Sequence, residues 1–90
     1  MSDWEGLTPR ERRVLAETAK CQGSGTPGLL AGRLGLKSQQ VAYDLGTLRM
    51  LRLVSRYKTA GLTVYETTPA GDEALAEGQT QRVEVRGDVL

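Results

Sequence analysis

The fold is decided by the stretch Leu34-Gly35-Leu36-Lys37-Ser38-Gln39-Gln40-Val41-Ala42-Tyr43-Asp44-Leu45-Gly46-Thr47-Leu48-Arg49-Met50-Leu51-Arg52-Leu53-Val54-Ser55-Arg56. Within it, Val41, Leu45 and Leu48 recur at the i, i+4 and i+7 positions that share one side of an α-helix. Gly35 suits the left-handed position that ends a preceding helix in a tight turn. After the helix, apolar and polar residues alternate as they do in strands. The stretch therefore predicts a turn, a helix at about residues 38–51 and a strand leading out of it.

The opposite side of this helix carries amides, hydroxyls and a glycine, and almost no charge. Its residues are Gln39, Tyr43, Gly46 and Met50, with Gln40 and Thr47 beside them. An ordinary solvated helix face would carry Lys and Glu instead. Because amides and hydroxyls pair with base edges in the major groove of DNA, the pattern favours the second helix of a helix-turn-helix motif. Two alternatives stay open, namely that the glutamines are ordinary solvated residues and that the tyrosine packs against the following strands.

Length and composition limit the architecture. Ninety residues make one small domain, and the absence of Phe predicts a thin aliphatic core. No apolar run approaches the roughly 20 residues of a membrane span, and the acidic N-terminus is not a signal peptide, so no membrane association is expected. The single Cys21 cannot form an internal disulfide. We therefore expect a cytoplasmic protein, and nucleoid association is expected only from the DNA-binding interpretation.

The formal net charge of +1 hides an uneven distribution. Residues 31–63 hold six Lys and Arg against Asp44 alone, whereas residues 64–90 hold two Arg against six Asp and Glu. Residues 1–30 are balanced, with four of each sign. The basic third coincides with the predicted helix at 38–51 and with the alternating segment after it. Clustered positive charge of this kind is the electrostatic footprint of a polyanion site.

Three further helices are predicted to begin with the same signal, a threonine N-cap followed by proline. The signal occurs at residues 8–9, 26–27 and 68–69, and Glu11 adds a capping box to the first of them. The residues expected to face inward are Val14, Leu15, Thr18 and Ala19 in the first helix, Leu29, Leu30, Ala31 and Leu34 in the second, and Ala74 and Leu75 in the last. Gly78 is expected to end the last helix.

Two alternating segments, at 53–57 and 62–67, predict a two-stranded hairpin with its tip at residues 58–61. The chain then divides into an N-terminal arm (1–6), one domain (7–78) and a C-terminal tail (79–90). The tail is expected to be flexible, or to form an extra strand through residues 83–85 only in an assembly. Trp4 in the arm is expected to pack on the first helix or on a partner subunit.

The chemistry of an enzyme is missing from the sequence. There is no His and only one Cys, no phosphate-binding glycine loop with its lysine, and no nucleophile paired with a base. Asp72, Glu73 and Glu77 have helical spacing, which is typical of a solvated face, and Cys21 is expected to be a half-buried thiol. We expect no catalytic residues, no metal and no cofactor.

The predicted order of helix, helix, turn, helix, hairpin and helix resembles the winged helix-turn-helix domains of bacterial and phage transcription regulators, MarR-like proteins among them. The resemblance covers roughly residues 7–77. The segments that carry it are Leu30-Ala31 with Leu34-Gly35-Leu36, then Val41, Leu45 and Leu48, then Leu53-Val54 with Arg56, and finally Tyr65-Glu66-Thr67-Thr68-Pro69-Ala70-Gly71. It implies a mainly α fold with a small β-hairpin (α+β), in which a three-helix core carries a wing and a short C-terminal helix.

The resemblance also implies a site. In the family the helix after the turn enters the major groove, and the hairpin touches the neighbouring DNA backbone. Carried over to this sequence, the expected base contacts come from Ser38, Gln39, Gln40, Tyr43 and Thr47. The expected backbone contacts come from Lys37, Arg49, Arg56, Lys58 and Thr59. Arg10, Arg12 and Arg13 are left open between phosphate contacts and simple solubility.

This sequence departs from the family pattern at three positions of the helix and its end. One is Gly46, which is unusual in the middle of a helix and could permit close approach to the sugar-phosphate chain. Arg52 stands where the family commonly has glycine, so the helix could run straighter or end differently. Asp44 would be repelled by phosphate if it faced DNA, and it is expected either to form a salt bridge or to accept a hydrogen bond from a cytosine amine.

The function indicated is sequence-specific binding of double-stranded DNA by a small transcriptional repressor that acts as a homodimer. A dimer matches palindromic sites one helical turn apart, and its contact is expected from the Trp4 segment, the last helix or the tail. Two alternatives are a winged-helix module that binds protein and an architectural DNA-binding protein of the excision or partition type. The sequence identifies no small-molecule effector and no operator.

Overall fold

Four helices and a hairpin follow one another in the computed structural model, which describes residues 3–78. The elements are α1 (Pro9–Lys20), α2 (Pro27–Leu34), α3 (Ser38–Met50), β1 (Val54–Thr59) and β2 (Leu62–Thr67). Residues 69–78 form a fourth helix, α4. The predicted fold class, mainly α with a small hairpin, is confirmed. The expectations for residues 79–90 and for the end of α4 lie outside the described residues.

The helix starts follow the predicted caps. Thr8 and Glu11 form a capping box, in which the Glu11 N–H donates to the Thr8 hydroxyl at 3.1 Å and the Thr8 N–H donates to the Glu11 carboxylate at 2.8 Å. Thr26 caps α2 by accepting the Leu29 N–H at 3.2 Å. Gly35 ends α2 with φ of 70°, the left-handed conformation that the turn into α3 requires.

The core lies where α1, α2 and α3 meet the base of the hairpin. Its fully buried side chains are Val14, Leu15, Leu30, Val41, Leu45, Leu48 and Leu53. One predicted core residue is wrong, because Leu29 is 41% exposed. It lies about 100° around α2 from Leu30, and only Leu30 and Ala31 of this helix are buried.

The hairpin is longer and its turn tighter than the sequence predicted. The antiparallel register runs from Val54 opposite Thr67 to Thr59 opposite Leu62. Ala60 and Gly61 form the whole turn, with φ of 52° and 79°. Positive φ at both central residues is the type I′ geometry that matches strand twist, so pairing continues up to the turn. The prediction of a tip at residues 58–61 is therefore wrong for 58 and 59, which belong to β1.

Two contacts fix the hairpin to the helices. Gly25, in the loop before α2, accepts the Tyr65 N–H at 2.9 Å and so pairs with β2 as an isolated bridge. At the other end, the Thr68 hydroxyl donates to the Arg52 carbonyl at 2.7 Å, and the Thr68 N–H donates to the Leu53 carbonyl at 3.0 Å. The orientation of the hairpin is thereby set by hydrogen bonds along β2 and at the base of the hairpin.

Trp4 packs within its own chain. The guanidinium of Arg12, on α1, lies 5.2 Å from the centroid of the indole ring and donates a hydrogen bond to the Trp4 carbonyl at 2.9 Å. The ring also lies against Gly78 of α4, where a Cβ atom would collide with it. The expectation that Trp4 packs on the first helix is confirmed. Among the helices within residues 3–78, none has the length and apolar character needed to cross a bilayer.

Candidate nucleic-acid interface

Helix α3 is oriented as its apolar spacing predicted. Val41, Leu45 and Leu48 are each 0% exposed and face α1 and α2. The opposite side faces solvent, and Tyr43 and Met50 on it are 71% and 84% exposed. Ordinary amphipathic packing therefore buries one side of the helix completely and leaves the other free for a partner.

The free side has a central row of residues at i, i+4, i+7 and i+11. The row consists of Gln39, Tyr43, Gly46 and Met50, all exposed, and Ser38 at the start of the helix is exposed as well. No atom lies within 4 Å of the position that a Cβ would occupy on Gly46. The middle of the row is therefore a shallow place on the helix, where another backbone can approach closely.

Gln40 and Thr47 lie at the border of this surface and are half-buried. The Gln40 amide oxygen accepts the Lys37 N–H at 3.1 Å, which caps the start of α3. The Thr47 hydroxyl donates to the Tyr43 carbonyl at 3.3 Å. A bidentate amide–adenine contact uses both the oxygen and the nitrogen. The cap occupies one of the two acceptor sites of the Gln40 oxygen and so restrains the orientation in which this amide can meet a base. The sequence carried the signal for this role, since glutamine at N3 is typical of a capping box.

Asp44 does not face outward. It is 2% exposed, and its two carboxylate oxygens accept hydrogen bonds from Arg10 of α1 at 2.6 and 3.1 Å. This hydrogen bonding raises the pKa of Arg10 above its ordinary value, so the guanidinium stays charged. The salt-bridge expectation for Asp44 is confirmed. The only carboxylate of α3 is thus neutralised inside the fold.

The cations of residues 3–78 fall into two groups. Side chains in the first group contact other parts of the fold. Arg10 pairs with Asp44, Arg12 contacts Trp4, and Arg13 donates to the Leu34 carbonyl at 3.0 Å. Arg33 pairs with Glu17 at 3.0 Å, and this hydrogen bond raises the pKa of Arg33. Those in the second group form no ion pair or side-chain hydrogen bond with the described part of the chain: Lys20, Lys37, Arg49, Arg52, Arg56 and Lys58. Apart from Lys20, the second group flanks the free side of α3 or lies on the hairpin.

The predicted backbone contacts divide between the ends of α3 and β1. Lys37 is exposed at the N-cap and Arg49 is exposed in the last turn. Arg56 and Lys58 alternate along β1, which places both on the same face of the hairpin, and both are exposed. Thr59 is exposed but belongs to the other face, opposite Leu62. The structure therefore groups Arg56 with Lys58 and separates Thr59 from them.

Arg52 adopts the backbone conformation that a glycine would supply. Its φ is 63°, and its N–H donates to the Arg49 carbonyl at 2.9 Å. The next N–H, that of Leu53, donates to the Leu48 carbonyl at 2.9 Å. These two bonds form a Schellman motif, in which the residue after the C-cap is left-handed. The helix thus ends in the left-handed conformation that a glycine at this position would also supply, so an arginine here does not prevent such an ending.

Other candidate chemistry does not assemble within residues 3–78. Cys21 is buried, 7% exposed, with its sulfur 4.0 Å from a carboxylate oxygen of Glu17. Asp72 accepts the Thr67 hydroxyl at 2.7 Å. No group of His, Cys, Asp and Glu in these residues could hold a metal ion. The surface that stands out is therefore the free side of α3 with its flanking cations.

Solved structures similar to this chain are winged-helix proteins of the MarR family. MepR of Staphylococcus aureus, a transcription regulator of the multidrug efflux pump MepA, matches with TM-score 0.85 and 20% identity over 92% of this chain and 63% of its own. YusO of Bacillus subtilis matches with TM-score 0.86 and 25% identity over 96% and 62%. A complex of S. aureus MepR with DNA matches with TM-score 0.78 and 19% identity over 94% and 63%.

No protein-family model and no curated protein sequence matches the chain. The chain spans about 65% of the length of the first MepR structure that it matches. The fold is that of the MarR-type winged helix, and the predicted resemblance is confirmed. Among the similar structures described by function, MepR and a MarR-family protein of Rhodococcus sp. RHA1 are transcription regulators.

Proposed function

We propose that this chain binds double-stranded DNA sequence-specifically and regulates transcription, with α3 in the major groove and the hairpin on the adjacent backbone. The observation that carries the proposal is the free side of α3. It offers uncharged hydrogen-bonding groups in its middle, and it is flanked by cations that have no partner within residues 3–78. The one acid of this helix, Asp44, is withdrawn into a buried pair.

The proposed contacts with DNA are of two kinds. Base contacts come from Ser38, Gln39 and Tyr43, with Gln40 and Thr47 at the edge of the groove. Phosphate contacts come from Lys37, Arg49, Arg56 and Lys58, whereas Thr59 lies on the opposite face of the hairpin and is left out of this set. Phosphate contacts position the protein without sequence preference, whereas base contacts distinguish one site from another. Repression follows if the bound site overlaps a promoter, and we propose a homodimer as the bound form.

The first test is the salt dependence of duplex binding. Four cations on phosphates give a slope of log K against log salt of about −3.6 per chain, or a loss of roughly 100-fold between 50 and 200 mM salt. Lys58→Ala is expected to reduce the slope by about 0.9 and to weaken cognate and random duplexes equally. Lys20→Ala removes the same charge from the exposed end of α1 and serves as the matched control with an unchanged slope.

Base contacts are tested at Gln39 rather than at Gln40, because loss of the Gln40 cap would also destabilise α3. Gln39→Ala is expected to lower the ratio of cognate to random affinity by about fivefold or more while the salt slope stays unchanged. Equal losses on both duplexes for Gln39→Ala and Lys58→Ala would contradict the division of roles.

A second candidate function is a winged-helix module that binds protein. It is favoured by the apolar exposure on the same helix, with Tyr43 at 71%, Met50 at 84% and Leu51 at 49%. Such a module would show no steep salt dependence on duplexes. Duplex affinity that is weak and flat between 50 and 200 mM salt would favour it over DNA binding.

A further inference from the structure

The centre of the free side of α3 lacks the side chains that recognise guanine. Arginine or lysine, bidentate to the O6 and N7 acceptors, is the usual guanine contact. Arg49 is the only cation within α3, and it lies about 80° around the helix from Gln39, at the flank of the central row. What the row offers instead is the amide of Gln39, the exposed ring of Tyr43 and the bare backbone of Gly46.

These groups match the major-groove edge of an A·T pair. An amide is bidentate to the N6 and N7 of adenine, and an apolar surface contacts the C5-methyl group of thymine. The Tyr43 ring is 71% exposed, so contact with a methyl group would remove apolar surface from water. A G·C pair has no methyl group in the major groove and would leave the ring hydrated.

The spacing allows both contacts in one short site. Gln39 and Tyr43 are one helical turn apart, a rise of about 6 Å, which is less than two base-pair steps. Gly46 follows on the same row with open space around it, so the helix can approach the groove without a side chain in the way. Neighbouring base pairs can thus be contacted together.

From this arrangement we infer that α3 selects A·T pairs, with the Gln39 amide on adenine and the Tyr43 ring on the methyl group of a thymine within two base pairs of it. This inference rests on the proposed function and adds the base chemistry of the site. It excludes a half-site whose central contacts are made to guanine.

The test begins with duplexes selected by the protein from a random pool. A·T pairs are expected at the positions that α3 covers. In the selected duplex, thymine is then replaced by uracil, which removes only the methyl group, and affinity is expected to fall about fourfold at the contacted position. Replacement of adenine by 7-deazaadenine removes the N7 acceptor and is expected to weaken binding by about fivefold or more.

Variants assign each effect to its side chain. Tyr43→Ala is expected to abolish the sensitivity to uracil, whereas Tyr43→Phe keeps the ring and the sensitivity. Gln39→Ala is expected to abolish the sensitivity to 7-deazaadenine and to keep the sensitivity to uracil unchanged. Both residues are exposed, and circular dichroism and thermal melting confirm that each variant is folded.

Three outcomes separate this inference from the proposed function. Guanine at the covered positions, or no response to uracil and 7-deazaadenine, overturns the A·T selection while DNA binding stands. Loss of sensitivity in Tyr43→Phe as well as Tyr43→Ala overturns the methyl contact. Failure to select any duplex from the pool overturns the inference together with the proposed function.

Discussion

Arg52 holds a backbone conformation that its side chain disfavours. At φ of 63° the Cβ of an L-residue is close to its own carbonyl oxygen, which costs about 1 kcal/mol or more relative to glycine. The Schellman bonds of Leu53 and Arg52 and the Thr68 hydrogen bond to the Arg52 carbonyl hold the residue there. The strain is therefore maintained by the junction between α3 and β1.

We predict that Arg52→Gly stabilises the protein by about 0.5–1 kcal/mol, because the relief of strain exceeds the added entropy of the unfolded chain. The midpoint of urea unfolding measures the effect. Arg49→Gly is the matched control, since it makes the same exchange inside the last turn of α3. It is expected to destabilise by about 1 kcal/mol. A lower midpoint for Arg52→Gly would contradict the strain assigned to this residue.

Side-chain partners are the part of the site that the sequence could least predict. The outward direction of Gln39 and Tyr43 follows from helical spacing alone, and the structure has them exposed. The pairing of Asp44 with Arg10 joins residues 34 positions apart, and no local pattern encodes such a distance. The alternatives stated for Asp44 included a salt bridge but could not name the partner.

At the scale of the elements, the Arg10–Asp44 pair joins the first turn of α1 to the middle of α3. Asp44 is buried, whereas the Arg10 side chain keeps 39% of its surface exposed. Removal of Arg10 would leave a carboxylate in the interior without its partner, but removal of Asp44 leaves a cation that water can reach. Loss of Arg10 and loss of Asp44 should therefore lower the free energy of unfolding by different amounts.

We predict that Asp44→Ala destabilises the protein by about 1–3 kcal/mol and that Arg10→Ala destabilises it more. The double variant, Arg10→Ala with Asp44→Ala, is expected to be more stable than Arg10→Ala alone, because no buried charge remains. Thermal and urea unfolding of the three variants measure this order. A double variant less stable than Arg10→Ala would show that Asp44 is not penalised by the loss of its partner.

The loop before α2 depends on a glycine for a different reason. A Cβ on Gly25 would lie 2.7 Å from the Tyr65 carbonyl oxygen. This distance is a steric clash, and the backbone would have to move to remove it. Gly32, on the exposed side of α2, has no atom within 4 Å of its Cβ position. One glycine is thus required by contact with the hairpin, and the other only weakens its helix.

Opposite effects are therefore expected from the same substitution at these two positions. Gly25→Ala should destabilise by about 1–3 kcal/mol through overpacking, and Gly32→Ala should stabilise by up to about 1 kcal/mol through helix propensity. Unfolding in urea checks both. Equal effects at the two sites would mean that the Gly25–Tyr65 bridge does not restrain the hairpin.

The elements themselves were largely predictable because their signals are local. Threonine caps with proline mark three helix starts, and Gly35 marks the turn. The length of the hairpin was not predictable, because Ala60 adopts a positive φ that alanine does not usually indicate. The prediction that Leu29 lies in the core was wrong, because packing against α3, and not the composition of α2, determines which side of α2 is buried.

At the scale of the whole molecule, charge is divided between a basic surface and an acidic end. Apart from Lys20, the cations without partners in residues 3–78 belong to α3, the residues at its two ends and β1, whereas α4 carries Asp72, Glu73 and Glu77. A polyanion is therefore attracted to the α3 and hairpin side and repelled from α4. Few cations on one chain give modest affinity at physiological salt, which two chains on adjacent half-sites would raise.

We predict that two copies bind a palindromic duplex cooperatively, with half-site centres about 10 base pairs apart. Insertion of about 5 base pairs between the half-sites turns one copy to the opposite side of the helix and is expected to abolish the cooperativity. Fluorescence anisotropy gives the affinity, and sedimentation velocity gives the number of chains per duplex. The same half-site beside random sequence is the matched control and should bind a single copy weakly. An isolated half-site that binds as tightly as the palindrome would show that one chain recognises DNA alone, and the homodimer would then be unnecessary for function.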